Sequence, residues 1–231
     1  ALVPIEEPFT ERFNRGLIMG PDGQKMSKSK GNVVSPDEFV QKYGADAVRM
    51  YLAFIGPYNE PGSYPWNLEG VAAMRKFLER ITRLVERRDT SASDDVSDAL
   101  SQSVARAQLK IAEDGDRFKF NTAIAALMIL VNELETVPSI PQTVLVQLVI
   151  MLSPFAPHVA EHVWEKLGGE RSVHQQPWPV AAAVIANEHE VVVQVAGRKR
   201  GSVRLPSEAS EAEALAEAFK IPAVLTALAG K

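Results

Sequence analysis

Between Asn67 and Arg88 the apolar residues fall at Val71, Met74, Phe77, Leu78, Ile81, Leu84 and Val85. Steps of three and four place them on one stripe, so the segment predicts a long amphipathic helix with a single buried face. The period returns at Leu100, Val104, Ala107 and Ile111, then, after a turn expected at Asp114-Gly115-Asp116, again at Ile124, Leu127, Leu130, Val131 and Leu134. Val144 to Leu152 and His158 to Leu167 continue the series, and the stretch from about residue 67 to 170 predicts an antiparallel helical bundle. Before it, Ser35-Pro36-Asp37-Glu38 predicts a helix start in which Ser35 caps, Pro36 fits the first turn and Glu38 closes a capping box, with Gly44 as the stop. A second helix is expected from Ala45 to Phe54.

The ends of the chain carry a different pattern. From Ala1 to Gly31, prolines and glycines punctuate short apolar runs such as Leu17-Ile18-Met19, which predicts short extended pieces. Pro57, Pro61, Gly62 and Pro65 mark a first boundary. Near the other end, Val191 to Val195 and Ser202 to Leu205 predict two strands of a hairpin joined by a basic loop from Ala196 to Gly201. A helix beginning at Pro206-Ser207 and running to Phe219, and another from Ile221 to Leu228, complete a small α+β unit. The expected organisation is thus mainly α: a first region over 1–56, a helical bundle over 57–180, and a small α+β unit over 189–231.

Composition narrows the choices modestly. The 231 residues are 46% hydrophobic, ample for a packed core, and the formal charge of −4 means that any nucleic-acid surface must come from local clusters. No cysteine is present, which removes disulfide frameworks and thiolate metal sites and suits a reducing, cytoplasmic setting. The longest uncharged stretch, Thr136 to Ala160, is broken by Pro138, Pro141, Pro154 and Pro157, so it reads as a buried helix pair and no membrane association is expected. The chain opens at Ala1, which suggests a piece of something longer.

Three clusters carry candidate chemistry. Lys25-Met26-Ser27-Lys28-Ser29-Lys30-Gly31 gathers three ammoniums, two hydroxyls and a flexible glycine. Mobile ammoniums can follow phosphate oxygens as charge shifts, while hydroxyls and loop N–H groups add directional donors, so the loop suits a polyphosphate; the plainer reading is a solvated basic loop. Lys76, Arg80, Arg83 and Arg87 recur at helical spacing as a cationic stripe, which is either a solvated face or a surface for nucleic-acid phosphates. Arg198, Lys199 and Arg200 form a second basic cluster in the expected hairpin loop. His158-Val159-Ala160-Glu161-His162 matches the spelling of inverted zinc peptidases, but a third ligand and a polar pocket are not evident, and no metal ligands are expected.

The run Lys25 to Ser29 matches the Lys-Met-Ser-Lys-Ser loop of class I aminoacyl-tRNA synthetases, and Gly31-Asn32-Val33-Val34 extends the match. Tyr43 to Arg49, Phe118 to Ile124 and Ser153 to His158 are similar to segments of the leucine, isoleucine, valine and methionine subgroup. Glu7-Pro8-Phe9 and Val193 to Gly201 resemble the leucine-specific family, although Ala196 stands where that family commonly has Asn. The resemblance implies ATP-dependent activation of leucine to an adenylate with Mg²⁺, and transfer to tRNA(Leu). Lys25 and Lys28 are then the catalytic candidates, and Lys25, Met26, Ser27, Lys28 and Ser29 the ATP-binding ones. Lys76, Arg80, Arg83, Arg87, Arg198, Lys199 and Arg200 become candidate tRNA contacts; residues 1–56 are then the stem-contact region at the end of the catalytic domain, the bundle the anticodon-binding-like domain and residues 189–231 a truncated C-terminal tRNA-binding domain, and a monomeric parent enzyme is implied. The histidines at 158, 162, 174 and 189 sit in no His-x-Gly-His context, so the half that binds nucleotide and leucine is expected elsewhere and this piece alone is expected to be inactive. A related synthetase for isoleucine, valine or methionine, a subunit of a split synthetase and a non-catalytic tRNA-binding module remain alternatives.

Overall fold

The computed structural model describes residues 9, 11–12, 16–58, 62–88, 94–180, 188–206 and 209–229, so Glu7-Pro8 and Pro61 lie outside the described residues. Its elements are β1 (Leu17–Met19), α1 (Pro36–Tyr43), α2 (Ala45–Phe54), β2 (Ser63–Pro65), α3 (Gly70–Glu86), α4 (Asp98–Asp116), α5 (Phe120–Glu135), α6 (Gln142–Leu152), α7 (Pro157–Lys166), β3 (Glu188–Val195), β4 (Arg198–Pro206), α8 (Glu211–Ala218) and α9 (Pro222–Ala229). Two compact units divide the chain, Ala1–Ala182 and Ala183–Lys231. The architecture is mainly helical, as expected.

In the first unit every stripe residue named for α3 is buried, from Val71 to Val85. They join Leu127, Leu130 and Leu134 of α5 and Leu145, Leu148 and Leu152 of α6 in one core. Ala47, Met50 and Tyr51 of α2 belong to that same core, so the first region and the bundle share their apolar interior. The proline-rich stretch after α2 returns to the start of the chain: β2 pairs in parallel with β1, and the N–H of Trp66 donates to Met19 O at 3.0 Å. Trp66 then sits edge-on to Phe39 and Tyr51, with ring centroids 5.0 and 4.9 Å away. Burying these rings anchors α1, α2 and the strand pair against each other.

Local details depart from expectation at four places. Ser35 precedes α1 but makes no side-chain cap, so the expected capping box is absent. The predicted turn at Asp114-Gly115-Asp116 is the last turn of α4, which continues to Asp116. In the second unit the hairpin turn is only Ala196-Gly197, and β4 starts at Arg198, placing the three basic residues on a strand. The helix expected from Pro206-Ser207 begins at Glu211, where Ser210 and Glu213 form a reciprocal capping box; Ser207 itself lies outside the described residues. Leu205 and Val224 are buried within this unit.

Candidate functional site

The lysine-rich loop leaves β1 through a tight turn in which Gly23 N–H donates to Gly20 O at 2.9 Å. Lys25 bridges back to Met19, and Lys28–Lys30 form a single 3₁₀ turn closed by Gly31 at φ 65°. That left-handed conformation is one glycine adopts without steric cost, and it ends the turn so that the chain can head into α1. Met26 is the loop's anchor, half-buried against the core. Lys25 and Lys28 are exposed and form no ion pair among the described residues. Lys30 is tethered instead, its Nζ donating to Gln24 Oε1 at 2.8 Å. The Ser27 and Ser29 hydroxyls lie 2.8 Å apart and bond to one another.

Two residues outside the sequence-predicted set hold this loop. Asn32 Nδ2 donates to both Asp22 oxygens, at 3.1 and 3.0 Å, and to Lys25 O at 3.3 Å, while Asn32 Oδ1 accepts the Ser27 N–H at 2.8 Å. Asp22 also accepts the N–H of Gln24 at 3.0 Å. That backbone donor, with the Asn32 amide, holds the Asp22 carboxyl below its ordinary value against the opposing effect of desolvation. The sequence contained a signal, Asp22-Gly23 on one side of the loop and Asn32 on the other, but only pairing in space gives it meaning. Among the described residues no group of His, Asp or Glu is arranged to hold a metal. Asp22, the carboxylate within the loop, is committed to its own partners.

The α3 stripe divides. Arg80 grips Glu135 of α5 with Nε and Nη2, at 2.8 and 2.6 Å, and also reaches Asn132 at 2.6 Å. Its hydrogen bonds hold Glu135 below and Arg80 above their ordinary pKa values. Arg87 donates to carbonyl oxygens at the end of α5, those of Leu134, Glu135 and Val137, at 3.1 to 3.4 Å. Lys76 and Arg83 are exposed and make no ion pair among the described residues. Arg83 lines a groove of about 410 Å³ between α3 and α7 with Arg75, His158 and His162. On the second unit, Arg198 and Lys199 are exposed, whereas Arg200 is half-buried at a bulge, its Nε without a hydrogen-bond partner among the described residues.

The peptidase-like spelling is taken apart by the fold. His158 Nδ1 lies 2.8 Å from Asp46 Oδ1, whereas Glu161 turns away to the Ser172 hydroxyl and the Val173 N–H. Asp46, 4% exposed, also accepts the Val159 N–H at 2.7 Å. It thereby caps α7, whose own N-cap residue is Ala156 and supplies no side-chain acceptor. Arg49 reaches Pro154 O at 3.4 Å, and Phe120 sits edge-on to Phe155 at 6.3 Å. The three signature segments around residues 46, 120 and 155 are thus neighbours in space. Of the tryptophans, Trp66 and Trp164 are buried, but Trp178 is 38% exposed and lines a cavity of about 940 Å³ with Leu52, Ile111 and Phe120.

Residues 99–215 match the family described as the anticodon-binding domain of tRNA ligase, and residues 3–61 match tRNA synthetases class I (I, L, M and V). With this bundle and loop, the chain belongs to the class I tRNA synthetases and carries their anticodon-binding domain. Within that class its similarity is to leucine–tRNA ligases. It is 40% identical over its whole length to that of Bdellovibrio bacteriovorus and 38% identical to that of Chlorobaculum tepidum, spanning 29% of each. The crystal structure of a ternary complex of Agrobacterium radiobacter LeuRS with tRNA and LeuAMS superposes with a TM-score of 0.76 at 35% identity, over 97% of this chain and 32% of that one.

Proposed function

We propose that this chain is the C-terminal part of a leucine–tRNA ligase of the cytoplasm, supplying a phosphate-handling loop and tRNA-binding surfaces to a monomeric enzyme. The observation that carries the proposal is the exposed pair Lys25 and Lys28, without an ion pair among the described residues, on a loop anchored by Met26, in a chain 40% identical to a leucine–tRNA ligase. In the reaction, a leucine carboxylate oxygen attacks the α-phosphorus of ATP, the bond to the bridging oxygen breaks, and pyrophosphate leaves with the electron pair. The tRNA hydroxyl then attacks the adenylate carbonyl and AMP departs.

Charge on the β- and γ-phosphates grows as that bond breaks. An ammonium brought close at that moment lowers the transition state more than the ground state. Lys28, on the 3₁₀ turn, and Lys25, beside the strand bridge, are the candidates for that role. Lys76 and Arg83 on α3, and Arg198 and Lys199 on β4, offer exposed cations to tRNA phosphates, where contacts position the RNA without reading its bases. Arg80 and Arg87 have intramolecular partners and contribute less directly. The solved tRNA complex of the Agrobacterium relative supports this partner. The chain alone, spanning 29% of its relatives, is expected to bind tRNA without forming adenylate. Leucine-dependent ATP–pyrophosphate exchange by the longer enzyme tests the loop: Lys28→Ala is expected to lower the rate by about 10²- to 10³-fold. Unchanged exchange sinks the assignment.

A further inference from the structure

The loop's two exposed ammoniums depend on a clasp that neither touches. Asn32 uses its whole amide within the loop, with Nδ2 directed to Asp22 and Lys25 O and Oδ1 to the Ser27 N–H. Asp22 answers with one oxygen shared between that amide and the Gln24 N–H. One side-chain pair therefore ties the entry of the loop, its first lysine, its first serine and its exit. It also satisfies, by hydrogen bonds from uncharged donors, the one carboxylate in the segment from Gly20 to Val34. An Asp22 side chain without these donors would compete with phosphate for Lys25 or Lys28. Lys30 is already withheld by Gln24.

We propose that Asn32 and Asp22 are positioning residues for the nucleotidyl-transfer step, holding the backbone of Lys25 and Ser27 so that the Lys25 and Lys28 ammoniums are presented unpaired to the polyphosphate. The proposal rests on the reading of the loop as the ATP-handling element and deepens it. Asn32 and Asp22 contribute no group to the substrate; they act through the lysines. Displacing such a frame by about 1 Å costs up to about a hundredfold in rate.

The test uses the longer enzyme and measures ATP–pyrophosphate exchange for Asn32→Asp, Asp22→Asn, the double swap and Lys28→Ala, with thermal unfolding of each. Asn32→Asp sets two carboxylates against each other and is expected to lower kcat by about 10- to 100-fold, with KM for ATP changed less than about threefold and the unfolding midpoint unchanged. The double swap recreates the Asp22–Asn32 pairing in reverse and loses only the donation to Lys25 O: a carboxylate at position 32 still accepts the Ser27 N–H, while an amide at position 22 donates across the loop and its oxygen still accepts from Gln24. It is expected to recover at least half of the logarithmic loss. Asn32→Asp with full activity, or a swap no better than its single variants, overturns the clasp. Lys28→Ala separates the two failures: if it is impaired while Asn32→Asp is not, the clasp alone falls, and if it is unimpaired the loop reading falls with it.

Discussion

Ala196 holds φ 50° at the first position of the two-residue turn between β3 and β4, beside Gly197 at φ 74°. A Cβ in this left-handed region meets its neighbouring carbonyl, a strain of about 1 kcal/mol that Asn tolerates better than Ala. Ala196→Asn is therefore expected to stabilise the second unit by about 0.5 to 1 kcal/mol. Amide hydrogen exchange across β3 and β4 reads this directly, with slower exchange in the variant; faster exchange contradicts it. Glu135 offers a second residue-level test. Its folded pKa lies below its ordinary 4.5 because of Arg80, so its contribution is present above 4.5 and is lost as pH falls through the depressed value. Glu135→Gln is expected to cost about 1 kcal/mol or less at neutral pH, given the solvent around the pair, and the gap to the parent protein should close on acidification. A gap that persists at low pH contradicts the ion-pair account.

The helices themselves were legible at the level of elements because burial needs a stripe, and a stripe leaves a period of three and four in the chain. The residues expected inward on α3 and α5 are all buried, with Ala123 and Ala126 added on α5. What the period does not encode is how helix ends are satisfied. Ser35 looked like a cap and is not one, while α7 is capped by Asp46 from α2, 113 residues from the Val159 N–H it accepts. A cap supplied across the fold leaves no local spacing to read. It accounts physically for two of the signature segments, since the Asp46 segment and the Pro154 segment complete each other. Asp46→Ala is expected to destabilise the first unit by about 1 to 3 kcal/mol, because it leaves the Val159 N–H without its acceptor, whereas Asp46→Asn should cost less. Denaturant unfolding with equal cost for both substitutions would place the effect elsewhere than in that hydrogen bond. The hairpin shows a related limit: a run of Arg and Lys reads as loop, yet Arg198 and Lys199 stand on β4 because a two-residue turn already reverses the chain.

For the molecule as a whole, a net charge of −4 hides local cationic surfaces, and the fold decides which of them are available. The loop was legible as a candidate site because its charges lie close together in sequence, and the Asp22–Asn32 clasp was not, because its halves lie ten residues apart and carry no shared period. The α3 stripe was legible as a stripe, but only packing shows that Arg80 and Arg87 serve α5. Neutralising Arg198 and Lys199 together in the longer enzyme is expected to weaken tRNA binding and to reduce the slope of log K against log salt by about 1 for each phosphate no longer neutralised. Unchanged affinity and slope would remove the second unit from the RNA surface. The role proposed for the Lys28 ammonium is to meet pyrophosphate as it leaves. Its most direct measurement is the single-turnover rate of leucyl-adenylate formation by Lys28→Ala in the longer enzyme, taken beside the equilibrium affinity for ATP. The account predicts a rate lowered by about 10²- to 10³-fold with ATP affinity nearly unchanged; an undiminished rate, or a loss confined to ATP affinity, contradicts it.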